Sequence, residues 1–141
     1  MPKVLVTGND RLVEEWAFAK FGIAPLQCNL AVGIVENNNM VGAAFFHAHN
    51  GPDVEISYYG PRTMTLDVVK GLAKIAVEHL GVSRVTARTA STPDHKRIRR
   101  GFAKIGFEYE GTRKCGYGSK DAIMFGLYGR KLARLAGKAL Q

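Results

Sequence analysis

Asp53-Val-Glu-Ile-Ser-Tyr-Tyr-Gly-Pro-Arg-Thr-Met-Thr65, running on into Leu66–Gly81, decides how this chain folds. Val54, Ile56 and Tyr58 alternate with Glu55, Ser57 and Tyr59, which is the period of a strand. Gly60-Pro61 breaks the strand. From Leu66 the apolar positions Val69, Leu72, Ala73, Ala76 and Leu80 recur at helical spacing, and Gly81 stops the helix. A strand that delivers its end into a helix N-terminus is a common way to bind an anion or a phosphorylated cofactor.

Working outward, the chain punctuates itself clearly. Upstream, Lys3–Val6 reads as a short strand, and Asn9 or Asp10 caps the helix that follows. That helix spans Arg11–Phe21, with Leu12, Trp16 and Ala19 on one face and Glu14, Glu15 and Lys20 on the other. Gly22 and Pro25 end it. Leu30–Glu36 and Met40–His49 read as strands joined by Asn37-Asn38-Asn39, and Asn50-Gly51 signals a second hairpin. Downstream, Arg84–Thr89 is a strand. Thr92-Pro93 starts a helix, with Thr92 as cap, Pro93 in the first position and Asp94 near the positive dipole end. This helix turns Ile98, Phe102 and Ile105 inward and Lys96, Arg97, Arg99, Arg100 and Lys104 outward, and Gly106 closes it. Phe107–Thr112 and Ala122–Tyr128 are the last strands, with a turn at Gly116-Tyr-Gly118 between them.

The order β-α-β-β-β-α-β-α-β-β predicts an α/β (α+β) single domain over residues 1–128. Its sheet is mixed and mostly antiparallel, with helices on its faces. Residues 129–141 form a basic C-terminal tail with weak helical spacing.

Composition bounds the function. The chain has 141 residues, 46% of them hydrophobic, enough for one domain with a real core. No apolar run approaches the roughly 18 residues of a membrane span, and no signal peptide is expected at the start. Cys28 and Cys115 have no metal-like spacing and read as free thiols, which fits a reducing cytoplasm. His47 and His49 lack a third ligand at suitable spacing, so no metal is expected. The net charge of +8 favours an anionic partner: a phosphorylated cofactor, nucleic acid or an acidic surface.

Arg100-Gly-Phe-Ala-Lys-Ile-Gly-Phe-Glu-Tyr-Glu-Gly-Thr-Arg113, taken with the element order, resembles the GNAT N-acetyltransferase superfamily over nearly the whole chain. The resemblance implies a sheet splayed between its fourth and fifth strands, where acetyl-CoA lies as co-substrate. Ile56, Ser57 and Tyr58 stand at the positions that pair with pantetheine. Arg62, Thr63, Met64 and Thr65 stand at the pyrophosphate loop. Glu55 resembles the carboxylate that some members use as a general base.

The loop departs from the family: Arg62-Thr-Met-Thr-Leu-Asp67 lacks its glycines, Met64 and Leu66 can obstruct a close approach, and Asp67 puts a negative charge near the phosphates. The family's helix-start Asn and its thiolate-protonating Tyr fall on His95 and Phe102. Phe102 has no proton to give, whereas His95 can act as an acid or base. Tyr58, Cys115 and Tyr117 are substitute acids in principle.

The leading expectation is acyl transfer from acetyl-CoA to a primary amine entering beside the first helix, where Trp16, Phe18 and Phe21 stand. The second is a catalytically inactive GNAT-like binding or structural module. A third is nucleic-acid binding through Lys96–Arg100 and Arg130–Lys138. An exposed closing strand leaves room for a homodimer.

Overall fold

The computed structural model describes residues 3–22, 28–60, 63–92 and 95–137. Pro25, Pro61, Arg62, Pro93, Asp94 and Lys138 lie outside the described residues, as does the side chain of Tyr117. The elements are β1 (Val4–Val6), α1 (Asp10–Phe21), β2 (Cys28–Glu36), β3 (Asn39–Asn50), β4 (Asp53–Tyr59), α2 (Leu66–His79), β5 (Arg84–Ala90), α3 (Lys96–Ile105), β6 (Glu108–Tyr117), β7 (Lys120–Tyr128) and α4 (Gly129–Leu135). The strands make one sheet in the order β1-β2-β3-β4-β5-β7-β6. The β4–β5 pair is parallel and the other neighbours are antiparallel. Among the described residues no helix is long and apolar enough to cross a membrane.

Local chemistry accounts for the turns. Asn37 and Asn38 both take positive φ, 53° and 65°, as a two-residue turn between Glu36 and Asn39 requires. Gly60, at φ 139°, ends β4 in a tight approach to β3. A Cβ there would stand 2.8 Å from the Gly42 Cα and 2.9 Å from the Val41 carbonyl oxygen.

The sheet buries both faces over its first half. On one face Val32, Ile34, Ala44, Phe46, Val54, Val85 and Leu127 pack with Val68, Leu72, Ala73 and Ala76 of α2 and Leu132 of α4. On the other, Ala31, Ala43 and Phe45 pack with Val13 and Ala17 of α1. Each fully buried aliphatic or aromatic side chain contributes about 1.5–3 kcal/mol. The alternation of β4 therefore sends Val54, Ile56 and Tyr58 toward α2, and Glu55, Ser57 and Tyr59 toward the α1 face.

Four local expectations differ from the structure. In α1 the buried residues are Val13 and Ala17, while Leu12 is exposed, so the helix is rotated from the Leu12 face. In α3 no residue is buried and Ile98 is exposed. Arg99 turns inward instead, donating from Nη1 to the carbonyls of Ala90 and Thr92 at 2.9 and 3.0 Å. The cap residue of α3 is His95, and the Thr92 hydroxyl bonds the His95 ring. The final hairpin turns at Gly118-Ser119, with Tyr117 paired to Lys120 inside the ladder. The basic segment after Tyr128 begins with α4, because Leu132 and Ala136 find room in the core beside α2.

Candidate functional site

The parallel ladder between β4 and β5 is short. It pairs Asp53 with Arg84, Val54 with Val85 and Glu55 with Thr86, and stops there. β4 continues through Tyr59 on β3 alone, and β5 continues through Ala90 on β7 alone. Beyond Glu55 the two strands therefore present backbone donors and acceptors toward one another without a shared ladder. Such groups call for partners when a ligand fills the gap.

Side chains on the α1 face mark the point of parting. Arg88 Nη2 donates to both Glu55 oxygens, at 3.1 and 3.2 Å, and so links the strands just where they separate. His47, opposite Glu55 on β3, has Nδ1 3.5 Å from Glu55 Oε2. Its Nε2 lies 2.8 Å from Ser57 Oγ. Burial pushes the His47 pKa below its ordinary value; Glu55 opposes that shift and Arg88 adds to it. The imidazole is thus neutral near pH 7. One strand-turn away, Thr86 Oγ1 donates to Asp53 Oδ1 at 3.0 Å, and Arg84 forms an ion pair with Glu110.

Aromatic residues border this row. Phe21 from the end of α1 stacks near Tyr59, with ring centroids 5.9 Å apart, and Trp16 meets Phe21 edge-on at 5.8 Å. Phe45 completes the wall against Tyr59. Phe18, by contrast, projects outward and is exposed.

On the α2 face, Ile56 and Tyr58 pack against the core. The Tyr58 hydroxyl and Thr63 Oγ1 are 2.5 Å apart, and Thr63 Oγ1 donates to the Gly60 carbonyl at 2.6 Å. Burial raises the Tyr58 pKa, so this phenol is a poor proton donor and is already partnered. Thr63 therefore shapes the loop through its hydroxyl. Met64 packs toward the core, which removes it from the approach to the loop, while Leu66 is exposed. Thr65 caps α2, its Oγ1 accepting from Val68 N at 3.4 Å. The first-turn amides at Leu66 and Asp67 are those a helix leaves without internal partners. Asp67 is exposed in that turn. Arg62 lies outside the described residues.

At the far end of β5, Thr92 Oγ1 and His95 Nδ1 are 2.6 Å apart, which orients the His95 ring. Phe102 is packed between Phe107 and Phe125, with centroids 5.0 and 5.4 Å away. The two cysteines differ. Cys28 donates to Glu14 and its pKa is pushed up to about 12, first by burial, while Cys115 is exposed at φ 55°. His49 donates to the Gly51 carbonyl at 3.1 Å, so the two histidines serve different partners.

The row of Arg88, Glu55, His47 and Ser57 was not legible as a unit. The Asn50–Asp53 pair, continued regularly, sets His47 opposite Ile56. An irregularity between His47 and Asn50, with Ala48 at φ 52°, shifts the register by one and sets it opposite Glu55.

No protein-family model and no curated protein sequence matches this chain. Solved structures do match it. A variant of the spermidine/spermine N-acetyltransferase SpeG from Vibrio cholerae superposes with a TM-score of 0.77 at 9% identity, covering 94% of this chain and 96% of that one. A protein described as a GNAT-family acetyltransferase, from Desulfovibrio desulfuricans, superposes with a TM-score of 0.68 at 15% identity, covering 90% and 99%. An acetyltransferase of the same family from Bacillus anthracis matches with a TM-score of 0.58 at 18% identity, covering 70% and 65%.

Proposed function

Taking as premise that this chain has the GNAT fold, we propose that it is an N-acetyltransferase that moves an acetyl group from acetyl-CoA to a primary amine. The observation that carries this reading is the end of the β4–β5 ladder at Glu55 and Thr86. In this reading the pantetheine arm pairs with backbone at Ile56, Ser57 and Tyr58. The pyrophosphate lies against the loop of Arg62, Thr63, Met64 and Thr65, at the positive end of α2. Ordering of that loop by Thr63, and the withdrawal of Met64 into the core, favour such an approach despite the missing glycines.

The amine enters on the α1 face, along the wall of Phe21, Trp16 and Tyr59. Glu55 stands on the strand that borders the gap, where a carboxylate can help to remove the ammonium proton as a general base, and His95 stands at the β5 end as a proton donor or acceptor. Holding amine and thioester together removes much of the barrier without further chemistry. The cytoplasm, where acetyl-CoA and reduced thiols occur together, is the matching compartment.

Calorimetric titration with acetyl-CoA tests the reading first. Binding is expected, weakened in Arg62→Ala and unchanged or tightened in Asp67→Asn. Absence of binding at millimolar ligand would remove it.

Two observations favour the second reading, a GNAT-fold module without catalysis. Glu55 is held by both oxygens, and Phe102 is locked among aromatic rings where a thiolate-protonating tyrosine would stand. Thiol release from acetyl-CoA with a panel of amines separates the two: turnover excludes the inactive module.

A further inference from the structure

The acyl-transfer reading leaves open where the ammonium proton goes, and the inference below rests on that reading. Glu55 is poorly placed to take the proton itself, since both of its oxygens receive Arg88 Nη2. The neighbouring imidazole is better placed. His47 Nδ1 faces the Glu55 carboxylate at 3.5 Å, which favours the tautomer with its hydrogen on Nδ1. Nε2 is then an acceptor, and Ser57 Oγ, 2.8 Å away, donates to it. Ser57 is the second residue beyond the last β4–β5 pair, on the face where α1 brings Phe21 to Tyr59.

We propose that Ser57, His47 and Glu55 form a proton relay, in which His47 Nε2 receives through the Ser57 hydroxyl the proton that an ammonium substrate loses. Ser57 and His47 are the catalytic residues of this step. Glu55 and Arg88 are positioning residues that fix the ring and balance its charge.

The step balances. An N–H bond of the ammonium breaks, and its proton passes to Ser57 Oγ as the hydroxyl proton of Ser57 passes to His47 Nε2. The imidazolium forms beside the Glu55 carboxylate. The nitrogen lone pair attacks the thioester carbonyl carbon of acetyl-CoA. The C–S bond then breaks, and its electron pair leaves on sulfur. The second nitrogen proton goes to that thiolate, which departs as the thiol. His47 returns its proton to solvent.

Charged and titratable groups face His47 from each packed element. Glu55 stands opposite on β4, and Arg88 reaches across from β5. Cys28 is its partner on β2, and that thiol donates to Glu14 of α1. Glu55 favours protonation, Arg88 opposes it, and burial opposes it more. A neutral, receptive imidazole at pH 7 is what a general base requires.

Two measurements test the relay. Nitrogen chemical shifts of the ring, on the whole protein at pH 8, are expected to show hydrogen on Nδ1 and none on Nε2. A hydrogen on Nε2 overturns the relay whatever the activity. In steady-state turnover, H47N is expected to lose about 100-fold in kcat, in the range of one general base, with KM for acetyl-CoA unchanged. The wild-type acid limb is expected to lie below the ordinary imidazole range, because burial lowers the His47 pKa; in H47N it should move up to the ionisation of the amine itself. S57A should lose less than H47N and keep the wild-type limb. H47N turning over within threefold of wild type, with the same pH profile, overturns the relay alone. Absence of wild-type turnover with any amine removes the acyl-transfer reading, and with it the relay's substrate.

Discussion

Glu55 and Arg88 bridge the two parallel strands at the last position where those strands still pair. Arg88 Nη2 meets the two carboxylate oxygens at 3.1 and 3.2 Å. Side-chain exposures of 24% for Glu55 and 30% for Arg88 place the pair between a surface bridge and a buried one. Breaking it by Arg88→Met is therefore expected to cost about 1–2 kcal/mol, above an exposed pair and below a fully buried one. Urea denaturation measures this. A loss below a few tenths of a kcal/mol would show that solvent screens the bridge completely. Glu55→Gln, which keeps an acceptor for Arg88, should cost less than Arg88→Met.

Gly60 and Gly101 predict opposite signs for the same substitution. Gly60→Ala meets backbone at 2.8 Å and strained φ, and should destabilise by about 2–4 kcal/mol. Gly101 lies within α3, at ordinary φ, with nothing within 4 Å of a Cβ. Gly101→Ala should stabilise by about 0.5–1 kcal/mol through helix propensity and a less disordered unfolded chain. Melting temperatures of the two variants decide it, and a neutral Gly60→Ala would overturn the close approach of β4 to β3.

His47 gives the fold an acid sensitivity. Its folded pKa lies below the unfolded value of 6.5, mainly through burial. Between those two values the unfolded chain binds the extra proton, so stability rises with pH. The contribution is fully present above pH 6.5 and is lost as pH falls through the folded pKa. His47→Gln should lower stability at pH 8, because the bond to Ser57 is altered, yet flatten the decline below pH 6.5. Parallel curves for the two proteins would contradict the shift.

The two thiols should differ in reactivity. Cys28 is held at about 12 by burial and the Glu14 contact, whereas Cys115 is exposed. Thiolate is the reactive form. Iodoacetamide at pH 8 is expected to label Cys115 first, by mass spectrometry, and Glu14→Gln should speed labelling of Cys28. Equal rates at the two sites would count against this environment for Cys28.

The order of elements was legible because the chain punctuates itself with local chemistry. Asn37-Asn38, Gly60 and Gly106 each need backbone angles that most residues avoid, and each falls at an element end. Strand alternation likewise fixed which side of β4 carries Glu55 and which carries Ile56. The site was less legible because its partners meet across strands. The shift at Ala48 that aligns His47 with Glu55 depends on β3–β4 pairing, and no motif announces it. Arg99 read as an outward charge, yet it satisfies carbonyls at the end of β5, a need that only the assembled sheet creates. Met64, an obstruction by sequence, is drawn away by the core.

The basic segment after Tyr128 supplies the sharpest test of core against tail. Its charges suggest a solvated end, but α4 places Leu132 at 1% exposure in the same cluster as Leu72, Ala76 and Leu127. Lys131 adds an ion pair to Glu108 at 3.2 Å, on the surface, where such pairs contribute little. Burial therefore outweighs charge here. Leu132→Ala should cost about 2–5 kcal/mol, the range for a leucine removed from a packed interior. Lys131→Ala should cost no more than about 0.5 kcal/mol. If chemical denaturation instead gives equal, small losses for both, α4 does not belong to the core that supports β4 and β5.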